Sequence, residues 1–329
     1  MYFVKLVSRI WMVGYAGILI FSSCQIDPII FKARDFEPKL ELKCIFYQGD
    51  TIRFTLTRSV FSPFGLDEEL IYIDGANADL FEDGEYVGSF YQVPCNGCEN
   101  YTYDGYYKID HIPQAGRSYR IEVSVAGYPS IQAETELPIS GVNVINLLVN
   151  RRYFDVQSTE FYDLGVQLFD ELHNNYYLMN VDYEGIILSS IDNDTIRRWV
   201  YDQRFKVSPN YLMNNLEPHN GSSYRSIVFS DSYFSNSIFN IELKELERLN
   251  IDLDQGCNAE NVYCKRLFKI HVGNITKELY DYLYTSALQD INYKDPFSEP
   301  VNIISNIENG YGIFAGYNRS VYPIFIDIP

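Results

Sequence analysis

Ser118-Tyr119-Arg120-Ile121-Glu122-Val123-Ser124-Val125 alternates polar and apolar residues, pauses at Ala126-Gly127-Tyr128-Pro129, and resumes from Ile131 to Leu137. Period two places Tyr119, Ile121, Val123 and Val125 on one side of an extended chain, the pattern of a strand with one face buried. The pause carries glycine and proline, the residues that permit or pre-set turn backbone. The stretch therefore reads as an antiparallel hairpin, closed by Pro138. Two more hairpins lie upstream. Leu40-Glu41-Leu42-Lys43-Cys44-Ile45-Phe46 leads through Gln48-Gly49-Asp50 into Ile52-Arg53-Phe54-Thr55-Leu56-Thr57. Ala78-Asp79-Leu80-Phe81-Glu82-Asp83-Gly84-Glu85 carries an Asp-Gly turn between strand patterns. Six or seven short strands over about 100 residues, with turns at short intervals, describe an immunoglobulin-like β-sandwich over residues 38–140.

Residues 141–329 continue as a second β-rich domain. Phe161 to Asp170 and Tyr176 to Tyr183 flank His173-Asn174-Asn175, which reads as a hairpin turn. Strands mixed with polar loops follow over 184–235, the longest loop at Asn214 to Ser223. Asn240 to Asn250 fits a short helix and an edge strand equally, and Leu267 to Val272 reads as a strand. From Thr276 to Leu288 apolar residues recur at three and four behind an acidic, capped start, so one helix is expected near 276–288. The fold class is all-β, with that single helix.

Composition agrees. Aromatic residues make up 16% of the 329, led by 29 Tyr and 21 Phe, and such side chains suit pleated, half-buried strands. Net charge is 26 − 44 = −18. An acidic surface of that size argues against nucleic acid and against direct adhesion to anionic head groups.

The N-terminus has its own logic. Lys5 and Arg9 precede the apolar run Ile10 to Phe21, which is too short for a membrane-spanning helix but suits a signal segment. It ends in Ile18-Leu19-Ile20-Phe21-Ser22-Ser23-Cys24, small residues before a cysteine, the form of a bacterial lipoprotein signal with Phe21 where leucine is usual. Residues 1–23 are then a signal peptide, Cys24 is the lipid-bearing first residue of the mature chain, and 24–37 form a tether. An ordinary cleaved signal and a retained anchor are the alternatives. Lipid on Cys24 anchors a protein to a membrane without spanning it. Gln25-Ile26-Asp27 resembles the short sorting signals of lipoproteins displayed on the cell surface, so that face is expected over the periplasmic one.

With Cys24 lipidated, five cysteines remain, and two close pairs stand out: Cys95 with Cys98, and Cys257 with Cys264. Both are disulfide candidates, as suits an oxidising compartment. A four-thiolate zinc site uniting them is the rarer alternative. Redox catalysis needs the first thiol at a helix N-terminus, whereas Cys95 follows Val93-Pro94 with no helical pattern. Cys44, in an apolar strand run, is expected as a buried free thiol. Asn250 to Gly256 alternates oxygen ligands but fails the calcium-loop spacing, and the four histidines lack ligand-spaced neighbours. No metal ligand, cofactor or catalytic residue is assigned, and no enzyme is expected. Tyr101, Tyr103, Tyr106 and Tyr107 are candidates for a ligand-binding face, because tyrosine offers contact area at small entropic cost. The plainer alternative is packing on strands.

One stretch carries a resemblance. Asp295-Pro296-Phe297-Ser298-Glu299-Pro300, Ser305-Asn306-Ile307 and Gly310-Tyr311-Gly312-Ile313-Phe314 follow a helix containing Tyr280-Asp281-Tyr282-Leu283. Their order resembles the C-terminal signature of a Bacteroidota lipoprotein family, domain-of-unknown-function family 4249. The likeness extends forward to Tyr119-Arg120-Ile121-Glu122-Val123 and Ala133-Glu134-Thr135-Glu136-Leu137-Pro138. Glu308-Asn309 departs from it, since glycine is expected before Gly310. The resemblance implies an outer-membrane lipoprotein, often encoded beside a TonB-dependent receptor, and it transfers no site residue. An accessory or ligand-binding partner of a TonB-dependent transporter is the expected function. The alternative is a structural or adhesive surface lipoprotein.

Overall fold

Alternation becomes strand wherever it was read. In the computed structural model of the chain, residues 36–60, 72–94, 105–139, 142–169, 175–189, 191, 194–207, 226–231, 238–248, 262–292, 297–299 and 301–326 are described. Strands β1 (Leu40–Tyr47) and β2 (Ile52–Arg58) form the first hairpin. Next come β3 (Asn77–Glu82), β4 (Glu85–Ser89), β5 (Tyr91–Val93) and β6 (Tyr106–Ile109), and then the hairpin of β7 (Ser118–Ser124) and β8 (Ile131–Glu136). Between β3 and β4, Asp83 and Gly84 both take positive φ, the turn whose twist matches the flanking strands.

The later strands are β9 (Asn143–Phe154), β10 (Glu160–Phe169), β11 (Tyr176–Ser189), β12 (Thr195–Asp202), β13 (Lys206–Val207), β14 (Ser226–Ser230), β15 (Ile238–Glu247), β16 (Val262–Ile275) and β17 (Tyr311–Phe325). Helix α1 (Lys277–Asn292) precedes β17. The protein is mainly β, and α1 is the one helix among the described residues.

Three sheets result. The long one runs β12-β11-β16-β17-β1-β2-β6-β5, with β14 also on β11; the others run β13-β15-β10-β9 and β4-β3-β7-β8. β17 explains the continuity of the long sheet. Its first half, from Tyr311 to Tyr317, pairs parallel with β1, and its second half, from Tyr317 to Phe325, pairs antiparallel with β16.

Two cores follow from the two inner faces. Leu42, Phe46 and Phe54 on the long sheet meet Leu80, Tyr119 and Ile121 on β3 and β7, with Phe46 edge-on to Tyr119 at 5.5 Å. Farther along, Met179, Tyr183, Phe268 and Ile270 meet Leu164, Val166, Ile241 and Leu243 on β10 and β15. Each such side chain contributes about 1.5–3 kcal/mol by leaving water. On the opposite face of the long sheet, Leu279 and Tyr282 of α1 cover Ile275, Ile313 and Ala315.

Two expectations change in detail. Residues 240–247 belong to strand β15, because Phe239, Ile241, Leu243 and Leu246 supply a buried face to the second core. The hairpin read across His173-Asn174-Asn175 is corrected: β10 and β11 lie in different sheets, each pairing with other strands. Two apolar faces joined by a turn can meet edge to edge or face to face across a core, and their local sequence is the same in both cases.

The helix begins where its cap was read. Leu279 N–H donates to Thr276 Oγ1 at 3.3 Å, and Lys277 pairs with Asp281 one turn on. Thr276→Ala is expected to cost about 1 kcal/mol of unfolding free energy, measured by urea titration.

Candidate functional site

The signature stretch is built around one side-chain amide. Phe314 N–H donates to Asn306 Oδ1 at 3.0 Å, and Asn306 Nδ2 donates back to Phe314 O at 2.7 Å. A carboxamide thereby stands in for a neighbouring strand at that point of β17. Ile307 enters the first core. Glu308 then pairs with β8: its N–H donates to Gln132 O at 2.8 Å, and Gln132 Nε2 donates to Glu308 Oε2 at 2.6 Å. Asn309, where the resemblance leads one to expect glycine, has a φ of 60°, and its Nδ2 donates to Ser130 O at 3.3 Å. Asparagine tolerates that left-handed backbone better than other residues with a β-carbon. Asn306→Ala leaves two backbone groups of Phe314 without their partner, and a loss of roughly 2 kcal/mol is expected in denaturant titration.

Beside this segment lies a depression of about 400 Å³ on the outer face of β3, β7 and β8, lined by residues that include Asp79, Glu122, Ser130, Gln132 and Asn309. Strand register sets its floor. Asp79 stands opposite Glu122, Glu122 opposite Gln132, and Gln132 opposite Glu308, so acids and an amide cross the sheet in one row. Like charges side by side repel, and each acid has a partner that offsets this. Ser89 Oγ donates to Asp79 at 2.6 Å, and Arg120 pairs with Glu122. Carboxylates, amides and a serine hydroxyl converging on a shallow polar hollow suit a small hydrogen-bonding ligand. Among the described residues no group of three or more His, Cys, Asp or Glu is placed to hold a metal ion.

The residues read from sequence are placed unevenly. Cys24, Cys95, Cys98, Cys257, Tyr101 and Tyr103 lie outside the described residues. Cys264 sits on β16 opposite Ile187. Cys44 is a free, buried thiol whose pKa burial pushes well above the ordinary range. Tyr106 is half-buried on β6, whereas Tyr107 is a core residue. Its ring stacks on Phe54 at 4.9 Å, its hydroxyl donates to Ile73 O at 3.0 Å, and it accepts Ala76 N–H at 3.0 Å. That side chain packs and pins a loop, and it presents no open surface.

Other charged groups escaped the sequence reading. Glu160 is 4% exposed and receives Arg248 Nη1 at 2.7 Å, Tyr162 OH at 2.7 Å and Arg152 Nε. Glu184, equally enclosed, pairs with Arg198 and Lys269. His271 Nε2 lies 2.8 Å from Asp182. The available signal was an acid inside a strongly apolar strand run, as at Asp182 and Glu184 within Tyr176–Ser189. Its cationic partners sit on other strands, many residues away.

A protein-family model described as Domain of unknown function (DUF4249) matches residues 26–322 of the chain. No curated protein matches it.

Proposed function

Because the chain belongs to the Domain of unknown function (DUF4249) family, we propose that it is an outer-membrane lipoprotein, held by lipid on Cys24, that serves a TonB-dependent transporter as an accessory or ligand-binding partner. The observation that carries this reading is the run Ile18 to Cys24, small residues closing an apolar segment at a cysteine. The polar depression beside Asn309 supports the ligand-binding part, since it offers hydrogen-bonding groups on an open face. The cell-surface leaflet is the proposed address. Cys95 with Cys98 and Cys257 with Cys264 are the proposed disulfides, and peptide mapping without reductant is expected to recover both crosslinks.

Affinity capture from detergent-extracted native membrane tests the main reading, with Cys24→Ala run in parallel. A TonB-dependent barrel recovered with intact Cys24, and lost with the variant, is the expected result. Membrane attachment that survives Cys24→Ala would sink the anchor. A second reading, a structural or adhesive surface protein, draws on the exposed Ile145, Leu148, Val149 and Phe154 of edge strand β9. Anchored protein that repeatedly captures no barrel, in a deletion strain with altered attachment, would favour it.

A further inference from the structure

Strand β9 ends its sheet, with β10 on one side and no described strand on the other. Val144 N–H donates to Tyr322 OH at 3.4 Å. From Ile145 to Phe154, no described residue hydrogen-bonds to the free side. An unpaired edge presents a row of amide and carbonyl groups to another strand, and proteins guard such edges with shortness, charge or proline. β9 is weakly guarded. It runs for 12 residues without proline, glycine or acid, and Ile145, Leu148, Val149 and Phe154 are exposed along it. The other described sheet ends differ. β5, β13 and β14 have three, two and five residues, β12 ends in Asp202, β4 begins with Glu85, and β8 carries Glu134 and Glu136. On the facing layer, the edge of β17 beyond Tyr317 carries Pro323, which cannot donate to a ladder.

The charges on β9 sit at one end. Arg152 is held by Glu160, and Arg151 lies over the Tyr153 ring. The register with β10 leaves Ile145 and Asn150 as extra residues, one on each side of the regular run 146–149. Leu148 stands opposite Gly165, on the outward face, while Leu147 stands opposite the core residue Val166.

We propose that β9 pairs antiparallel with β9 of a second copy about a two-fold axis at Leu148, joining two sheets into one. Such an axis sets one residue against itself. With Leu148 there, Val149 faces Leu147 of the other copy, Asn150 faces Asn146, and Arg151 faces Ile145. Apolar pairs across strands are favourable and like charges directly opposite are not. The two Arg151 positions stand roughly 20 Å apart, beyond the screening length of about 8 Å at physiological salt. Charge also selects the occupant. The chain carries a net −18, so two copies repel over most of their surface. An acid-free edge on both copies is where they approach with least opposition. This pairing gives the edge on which the adhesive reading draws a single occupant, and it does not rest on the transporter reading.

The test is cysteine crosslinking of the full chain in native membrane with a short bismaleimide. Leu148 and Phe154 are similarly exposed, at 48% and 59%. In the proposed register two Leu148 positions lie about 5 Å apart, and two Phe154 positions about 40 Å apart. Leu148→Cys should therefore give a homodimer band about tenfold or more stronger than Phe154→Cys, each read over the unsubstituted chain. The second measurement is the mass of the detergent-extracted chain by light scattering, corrected for the micelle. Wild type should be a dimer. Leu148→Lys sets two cations against each other at an outward-facing position, and should give a monomer with an unchanged unfolding midpoint. Equal bands from the two cysteine variants, crosslinking of Leu148→Cys to a different protein alone, a monomeric wild type or a dimeric Leu148→Lys would overturn the proposal. Capture or absence of a barrel partner enters neither readout, so the two readings fail separately.

Discussion

Gly312→Ala is expected to lose about 4 kcal/mol of unfolding free energy, a large share of what a domain possesses. Gly312 has a φ of 105°, and a β-carbon built there would stand 2.0 Å from Leu42 O. Two costs combine. A side chain in left-handed backbone costs roughly 1–2 kcal/mol, and forcing atoms into a packed interior typically costs about 1–3 kcal/mol. Neither can relax easily. Leu42 is fully buried and pairs with Gly312 in the β1–β17 ladder, while β17 is also tied to β16. Gly84 is the matched control, with a φ of 84° and nothing within 4 Å of its would-be β-carbon. Gly84→Ala should lose about 1 kcal/mol, for backbone conformation alone. Guanidinium titration of both variants separates the two costs. Equal losses would mean that the approach of β17 to β1 is not what requires glycine.

Glu160→Gln is expected to cost roughly 3 kcal/mol, since removing one partner of a buried ion pair leaves its opposite charge poorly compensated. The cations concerned are the guanidinium of Arg248, 14% exposed, and that of Arg152. Burial by itself would raise the Glu160 carboxyl, but hydrogen bonds from Tyr162, Arg248 and Arg152 outweigh it, and the pKa lies below the ordinary carboxylate value. The Tyr162 phenol is pushed up to about 12, by burial first and by the Glu160 carboxylate second. A depressed carboxyl stabilises the fold fully above its unfolded pKa, and that contribution is lost as pH falls through the folded value. Wild type should therefore lose stability on acidification below the ordinary glutamate range, and the gap between it and Glu160→Gln should narrow there. Denaturant titrations from neutral to acidic pH check this. A gap that stays constant with pH would show that ionisation of Glu160 is not the source of the loss.

Much of the fold was legible because its causes are local. Alternation in Ser118–Val125, the Asp83-Gly84 turn and the Thr276 cap each act within a few residues, and each stands in the structure as read. Tyr107 shows where composition misleads. A cluster of tyrosines in a polar stretch looked like a surface, yet period two turned this one inward onto Phe54. The row of Asp79, Glu122, Gln132 and Glu308 was illegible because it needs the register of four segments at once.

The sequence by itself determined a mainly β chain, one capped helix, and strands with one apolar face each. Those properties come from side-chain spacing and turn chemistry, which neighbours along the chain decide. Tertiary structure decided which strands share a sheet: β17 beside both β1 and β16, and β10 across the core from β11. It also decided which side chains share the outer faces, among them Asn146, Gln167 and Asn240 of β9, β10 and β15. The physical reason is that backbone ladder hydrogen bonds are alike for every pair of strands. Partners are selected by burying all the apolar faces together, and that condition belongs to the whole chain.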